Sequence, residues 1–363
     1  MKRDSHESLR PRERGSRGAV TILQIAQSLN LSHSTVSRVL NNKPHTYISE
    51  DTRKKVLAVA REMGYRPNLA ARSLRDARCN MIGIFASPDI GVWSGMAASI
   101  SRSLSEALHE RQMHLFFALV AADEDERSLP AWQFDGAILL QQPSQASIRH
   151  LLTVDRPFVA INERVDYGIS VLADEADGMT QGMEHLWELG HRRIAYANAT
   201  QWHFPHYSVD ERQEAYIHYM ADRDGEPIVS RAFALSEPEG IAPVESGVAW
   251  LRQTVQEGTT AIVAYDHLVA VDILAAAQRL SLRVPQDFSL ICFNDDVITR
   301  RLFPPLTVVA PQGEAMGHVA ADILLRRMDA LEGARLPEDA DVEPIIRVPE
   351  RLIPRASTGP PRQ

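Results

Sequence analysis

The chain has 363 residues, enough for more than one cored domain, and a formal net charge of −8. Its two cysteines, Cys79 and Cys292, are too few for a disulfide framework or a thiolate metal site, which points to a reducing cytoplasm. Residues 1–78 hold 16 Lys and Arg against 7 Asp and Glu, a net of +9, while the remainder carries −17. That asymmetry is the footprint of a nucleic-acid-binding head on a body whose charge discourages general adhesion to DNA. No apolar run approaches the ~20 residues that span a bilayer, so no membrane role is expected.

Residues 1–18 are basic with no apolar core after them, so they read as a disordered arm and not as a secretory leader. The arm either touches DNA or serves as a solubilising extension. Residues 19–66 predict an all-α head. Ile22, Ile25, Ala26 and Leu29 recur at helical spacing, and Asn30-Leu31 breaks the pattern. Ser32 is a good cap for a second helix with Val36, Val39 and Leu40 on its inner face. On that helix Ser34, Ser37, Arg38 and Asn41 fall at i, i+3, i+4 and i+7, one outward polar stripe with a single arginine. Such a stripe suits a helix that enters the major groove N-terminus first, whereas an ordinary amphipathic helix would merely keep it solvated. A third helix is expected from Ser49, with Glu50 and Asp51 at its positive end, to Met63, stopping at Gly64.

Residues 67–78 predict a hinge and linker. Arg66-Pro67 forces an extended step, and Asn68 can cap a short helix from Leu69 to about Leu74. Two turns are not stable alone in water, so that segment needs a second copy of itself and DNA to order it. From residue 79 to 363 short apolar runs (81–86, 114–120, 136–140, 157–161, 193–197, 260–265, 288–293) alternate with amphipathic helices near 95–111, 176–189, 209–222, 244–256, 267–281 and 314–332. The alternation predicts an α/β body of two doubly wound parallel-sheet lobes, with the first ending near 162 and the chain crossing back near 295–310. Lobes of this kind bind small ligands in the cleft facing the carboxyl ends of their strands.

Several runs, in order, are similar to the lactose-repressor (LacI/GalR) family of bacterial transcription regulators. In the head they are Thr35-Val36-Ser37-Arg38-Val39-Leu40-Asn41 and Gly64-Tyr65-Arg66-Pro67-Asn68. In the body they are Gly190-His191-Arg192-Arg193-Ile194-Ala195, Val284-Pro285, Pro304-Pro305-Leu306-Thr307 and Leu352-Ile353-Pro354-Arg355-Ala356-Ser357-Thr358. The resemblance implies a helix-turn-helix head on a periplasmic-binding-protein-like body. It implies a dimeric regulator, most often a repressor, that binds a palindromic operator under the control of a small effector, a sugar or related metabolite. On this reading His33 and Ser34 choose bases and Arg38 reaches a guanine edge. Thr35, Ser37, Asn41 and Tyr65 position the DNA backbone, and Asn68 is counted among the DNA-binding residues. Leu74, with Ala71 beside it, is the apolar wedge at the operator centre; the plain alternative is a hinge residue docking on the body.

In the cleft the resemblance places Trp93, Asn162, Arg212, Tyr265 and Asn294 on the effector. Asn162 and Asn294 stand where aspartates are common, and Tyr265 where asparagine is. Two readings follow: a modified pocket for a neutral or acidic ligand anchored by Arg212, or a site regulated by partner contact alone. The head loop 42–48 is about two residues longer than the family form, and 121–133 is shorter. A face formed by residues 94–111 is expected to dimerise. Only six residues, two of them proline, follow Ser357, too few for a tetramerising coiled coil.

Enzyme signatures are missing. No Gly-rich phosphate loop or Gly-x-Ser-x-Gly elbow follows a strand. Asp295-Asp296 reads as a capping loop in preference to a catalytic or metal-binding pair, and His203 and His206, separated by Pro205, read as a surface loop. No cofactor or metal is expected.

Overall fold

The computed structural model describes residues 20–40, 48–65, 79–87, 95–120, 134–140, 144–154, 156–200, 206–234, 244–331 and 344–362. The chain divides into two units, Met1–Ala77 and Arg78–Gln363. Among the described residues no helix is long and apolar enough to cross a membrane.

The first unit is a three-helix head: α1 (Ile22–Ser28), α2 (His33–Leu40) and α3 (Glu50–Glu62). Thr21 and Gln24 close a reciprocal capping box on α1, each side chain accepting the other's backbone N–H, at 3.3 and 2.8 Å. Asn30, at φ +51°, makes the turn between α1 and α2; asparagine tolerates this left-handed conformation better than most side chains. Ser32 caps α2 by accepting Thr35 N–H at 3.1 Å, and Ser49 caps α3 by accepting Thr52 N–H at 3.3 Å. Six buried side chains, Ile25, Ala26, Val36, Val39, Val56 and Ala60, make the core, with Ala26 allowing the close crossing of a helix-turn-helix. The predicted arm 1–18, the head loop 41–47 and the hinge helix lie outside the described residues.

The second unit holds two six-stranded sheets. The first has order β11-β5-β4-β3-β1-β2, with β1 (Met81–Ala86), β2 (His114–Leu119), β3 (Gly136–Leu140), β4 (Phe158–Ile161), β5 (Ile169–Ala173) and β11 (Ile345–Val348). All its pairings are parallel. Three helices belong with it: α4 (Gly95–Glu110), α5 (Gln145–Thr153) and α11 (Gly313–Leu331). The packing of α11 on α4 is close because a Cβ at Gly317 would lie 2.0 Å from Ser103 Oγ.

The second sheet has order β12-β10-β9-β8-β6-β7. Its strands are β6 (Ile194–Thr200), β7 (Ile228–Ala234), β8 (Ala261–Ala264), β9 (Ser289–Phe293), β10 (Thr307–Ala310) and the antiparallel β12 (Arg351–Ile353). With it go α6 (Glu175–Glu188), α7 (Tyr207–Ala221), α8 (Val244–Gln256), α9 (His267–Arg279) and α10 (Val297–Arg301). Strands β3, β4, β5, β8, β9 and β10 are buried along their whole length, as parallel strands covered on both faces must be.

The chain leaves the first lobe after residue 173, and not near 162 as the sequence suggested. The reason is that Ile169–Ala173 pairs in register with β4 and adds a further strand to the first sheet. It returns after β10, because Met316, Ala320 and Leu324 of α11 enter the first-lobe core. It crosses a third time between β11 and β12, at Pro349-Glu350.

Candidate functional site

The first candidate is the outer face of α2. Val36 and Val39 are buried, which turns His33, Ser34 and Arg38 to solvent and leaves Thr35 and Ser37 half-buried. The helix starts in a hydroxyl cluster: Ser32 Oγ lies 2.8 Å from Ser34 Oγ and 2.8 Å from Thr35 Oγ1. These bonds fix two of the side chains at the positive end of the helix, where backbone N–H groups and the dipole favour an anion such as a phosphate. Tyr65 is half-buried against the head core. Asn41, Asn68, Ala71 and Leu74 lie outside the described residues.

The second candidate is a cleft of about 550 Å³ between the two lobes. Its floor is made by residues that follow strands: Asn162 after β4, Glu175 after β5, Tyr265-Asp266 after β8 and Asn294 after β9. Asn162 and Asn294 occupy equivalent places in the two lobes. Each has positive φ, +56° and +70°, and each donates its N–H at 2.9 Å to the neighbouring strand, to Val171 and Val309 respectively. Asparagine suits a position that must turn left-handed directly after a strand.

Arg212 is fully enclosed. Its Nε donates to Glu175, its Nη1 donates to Tyr265 O at 2.7 Å, and its guanidinium stacks 4.0 Å from the Phe293 ring centre. Burial works against its charge, yet Glu175 and Glu350 hold it protonated. Burial also raises both carboxyls; Arg212 counters this at Glu175, while at Glu350 the neighbouring Glu175 raises it further. Glu350 is 4% exposed, and among the described residues neither of its carboxyl oxygens has a hydrogen-bond partner. It lies on the third crossover and fits only because residue 178 is glycine: a Cβ there would stand 1.8 Å from Glu350 Oε2. Arg212 thus lines the cleft with its charge met by Glu175.

Tyr265 is buried and donates no group freely to the cleft. Burial pushes its phenol up to about 12, and its hydroxyl lies 2.9 Å from Ser208 Oγ. The direction of this network can be read. Asn162 O can only accept, so His206 Nε2 carries the ring proton in their 2.9 Å bond. Burial pushes His206 down to about 4, leaving its ring neutral at pH 7, so Nδ1 accepts from Ser208 at 2.7 Å and Ser208 accepts from Tyr265. His206 is thus an interior connector and not part of a surface loop; His203 lies outside the described residues, as does Trp93.

Asp295 and Asp296 hold structure. Asp295 accepts from Arg300, Arg355 and Thr299 at 2.6, 2.7 and 3.0 Å, bonds that pull its carboxyl below the usual range against its partial burial. Asp296 caps α10 through Ile298 N–H at 3.2 Å. Among the described residues there is no cluster of three or more His, Cys, Asp or Glu able to hold a metal ion.

Comparison with known proteins matches residues 21–68 to the family model "Bacterial regulatory proteins, lacI family" and residues 183–358 to a periplasmic binding protein-like domain. Its head carries the lacI-family regulatory domain. Among its relatives is the probable HTH-type transcriptional repressor ExuR of Bacillus subtilis, 28% identical over 84% of this chain and 91% of that one. The lactose operon repressor of Escherichia coli is 26% identical over 94% of each chain. In fold, it is similar to a lac repressor dimer bound to operator and the anti-inducer ONPF, with a TM-score of 0.74 at 23% identity over 94% of this chain and 100% of that one. A CelR–cellobiose complex gives a TM-score of 0.61 at 22% identity, covering 93% and 99%.

With that regulatory domain at its head and transcriptional repressors among its relatives, the chain is a DNA-binding regulator of transcription. The structure brings four of the five expected cleft residues, Asn162, Arg212, Tyr265 and Asn294, around one cavity. Sequence reading missed Glu175, Tyr207, Ser208 and Glu350. Glu175 carried a signal, since an acidic pair directly follows the apolar run 169–173. Glu350 carried none, because only the third crossover brings it to the hinge.

Proposed function

We propose that this protein represses transcription in the cytoplasm by binding a palindromic operator as a homodimer, under the control of a small, carbohydrate-like effector in the interlobe cleft. The observation that carries the proposal is α2. Its apolar residues face one side, and His33, Ser34 and Arg38 stand together on the other with access to a groove. A helix of eight residues covers only a few base pairs, so a symmetric pair is needed for useful specificity. Residues 67–78 are assigned to the hinge, with Ala71 and Leu74 in the minor groove, and residues 79–363 to effector binding and dimerisation. The small molecules bound by similar structures, ONPF by the lac repressor and cellobiose by CelR, are of a size that this cleft can hold. With Arg212 neutralised by Glu175, a ligand with uncharged hydrogen-bonding groups suits the cleft better than an anion.

The test is selection of bound duplexes from genomic DNA, followed by titration of the selected site at two salt concentrations. Arg38→Ala should reduce preference for that site by about 1–3 kcal/mol while leaving weak, salt-sensitive binding to other sequences. Equal loss on every duplex would show that Arg38 does not read a base.

A further inference from the structure

The first two turns of α7 reach from the second lobe into the first at three points. The Tyr207 hydroxyl donates to Asn162 Oδ1 at 2.9 Å and accepts from Ala173 N–H at 3.3 Å. His206 Nε2–H donates to Asn162 O at 2.9 Å. One turn further on, Glu211 accepts from both Nη1 and Nη2 of Arg347, at 2.8 and 2.9 Å, and also from Arg164. Arg347 lies on β11 and Arg164 between β4 and β5, so both cations come from the first lobe.

The location of the Tyr207 hydroxyl is the informative point. Asn162 and Ala173 stand at the carboxyl ends of neighbouring parallel strands, the place where an open α/β sheet receives its ligand. A phenol from the facing lobe makes there the two bonds a ligand hydroxyl would make, one as donor and one as acceptor. Beside it the Glu211 carboxylate, with a side chain 17% exposed, is gripped bidentately by Arg347, a geometry that strengthens a charged bond and fixes its direction. Across the cleft, Gly95 of the first lobe lies close to the backbone of Asp295 and the side chain of Asp296.

We infer that α7 is a built-in interlobe clamp: Tyr207 occupies the first-lobe hydroxyl position at Asn162 and Ala173, Glu211 locks it through Arg347 and Arg164, and an effector works by displacing Tyr207. This rests on the cleft being the effector site. It assigns Tyr207 a specificity role, because a ligand must offer Asn162 more than a phenol does. It also assigns the default closure of the cleft to the chain itself.

Hydrogen–deuterium exchange on the full-length protein, with no DNA or ligand, tests the clamp. Tyr207→Phe removes the hydroxyl while keeping the ring. It should speed exchange of the peptide covering residues 169–175 by about tenfold, the effect of losing one such bond. Glu211→Gln should accelerate the same peptide, and both variants should leave residues 307–310 of the second sheet unchanged. Parental exchange at 169–175 in both variants would overturn the clamp. So would acceleration throughout the body, which would mark the residues as general scaffold. Because DNA is absent, failure of operator selection would count against the proposed function and leave this result standing.

Discussion

The reading face of the head and the floor of the cleft use polar side chains in opposite ways. On α2, His33, Ser34 and Arg38 are exposed, and the partner they suit lies outside the chain. In the cleft, Asn162, Arg212 and Tyr265 are bonded to the protein's own groups, and the Arg212 charge is met by Glu175. Burial makes the difference: a polar atom taken out of water must find an internal partner, whereas a surface group can wait for one. Among the described residues the head holds its site on six buried apolar side chains, while the cleft draws on residues between Gly95 and Ile353.

The comparison can be broken most forcefully at Arg212. Arg212→Met leaves Glu175 and Glu350 buried without their cation and should cost the body about 3–5 kcal/mol in denaturant titration. A cost below about 1 kcal/mol would mean the cleft floor is not built on that pairing. In the head, Ile25→Ala empties a fully buried site and should cost about 2–5 kcal/mol, a large share of what so small a core supplies. All five tryptophans lie between residues 93 and 250, so their fluorescence reports the body alone. Loss of helical circular dichroism with an unchanged fluorescence transition would show that the two units fold separately; a shift of both would refute it.

The smallest effect is expected at Glu350. Its carboxyl is raised by burial and by Glu175, so its contribution to stability is fully present below the ordinary carboxylate value and is lost as pH rises through the folded one. Glu350→Gln keeps the side chain neutral and should make the body more stable than the parent at neutral and alkaline pH, with no gain near pH 4. Thermal melts across that range decide it; a variant less stable at pH 8 would show that the carboxylate is ionised and useful.

Much of the architecture was legible. Helical spacing and caps placed α1, α2 and α3 within a residue or two, and alternation placed the long helices of the body nearly as well. The lobe boundary was not legible, because Ile169–Ala173 is too short and too close to β4 to announce a separate strand. Nor was the state of Arg212. Its position could be inferred from resemblance, but its pairing with Glu175 depends on a strand end and a helix start that meet only in the fold.

The amino-acid order by itself determined the elements, the charge division between head and body, and the face of α2 that looks outward, because these follow from neighbours a few residues apart. Tertiary structure alone decided which polar groups of the cleft remain available and which are already engaged. Asn162, the helix carrying Tyr207 and Arg212, and Glu350 come from three separate segments. Hydrogen bonds and charge pairing depend on distance in space, and no local periodicity encodes a meeting between residues so far apart in the chain.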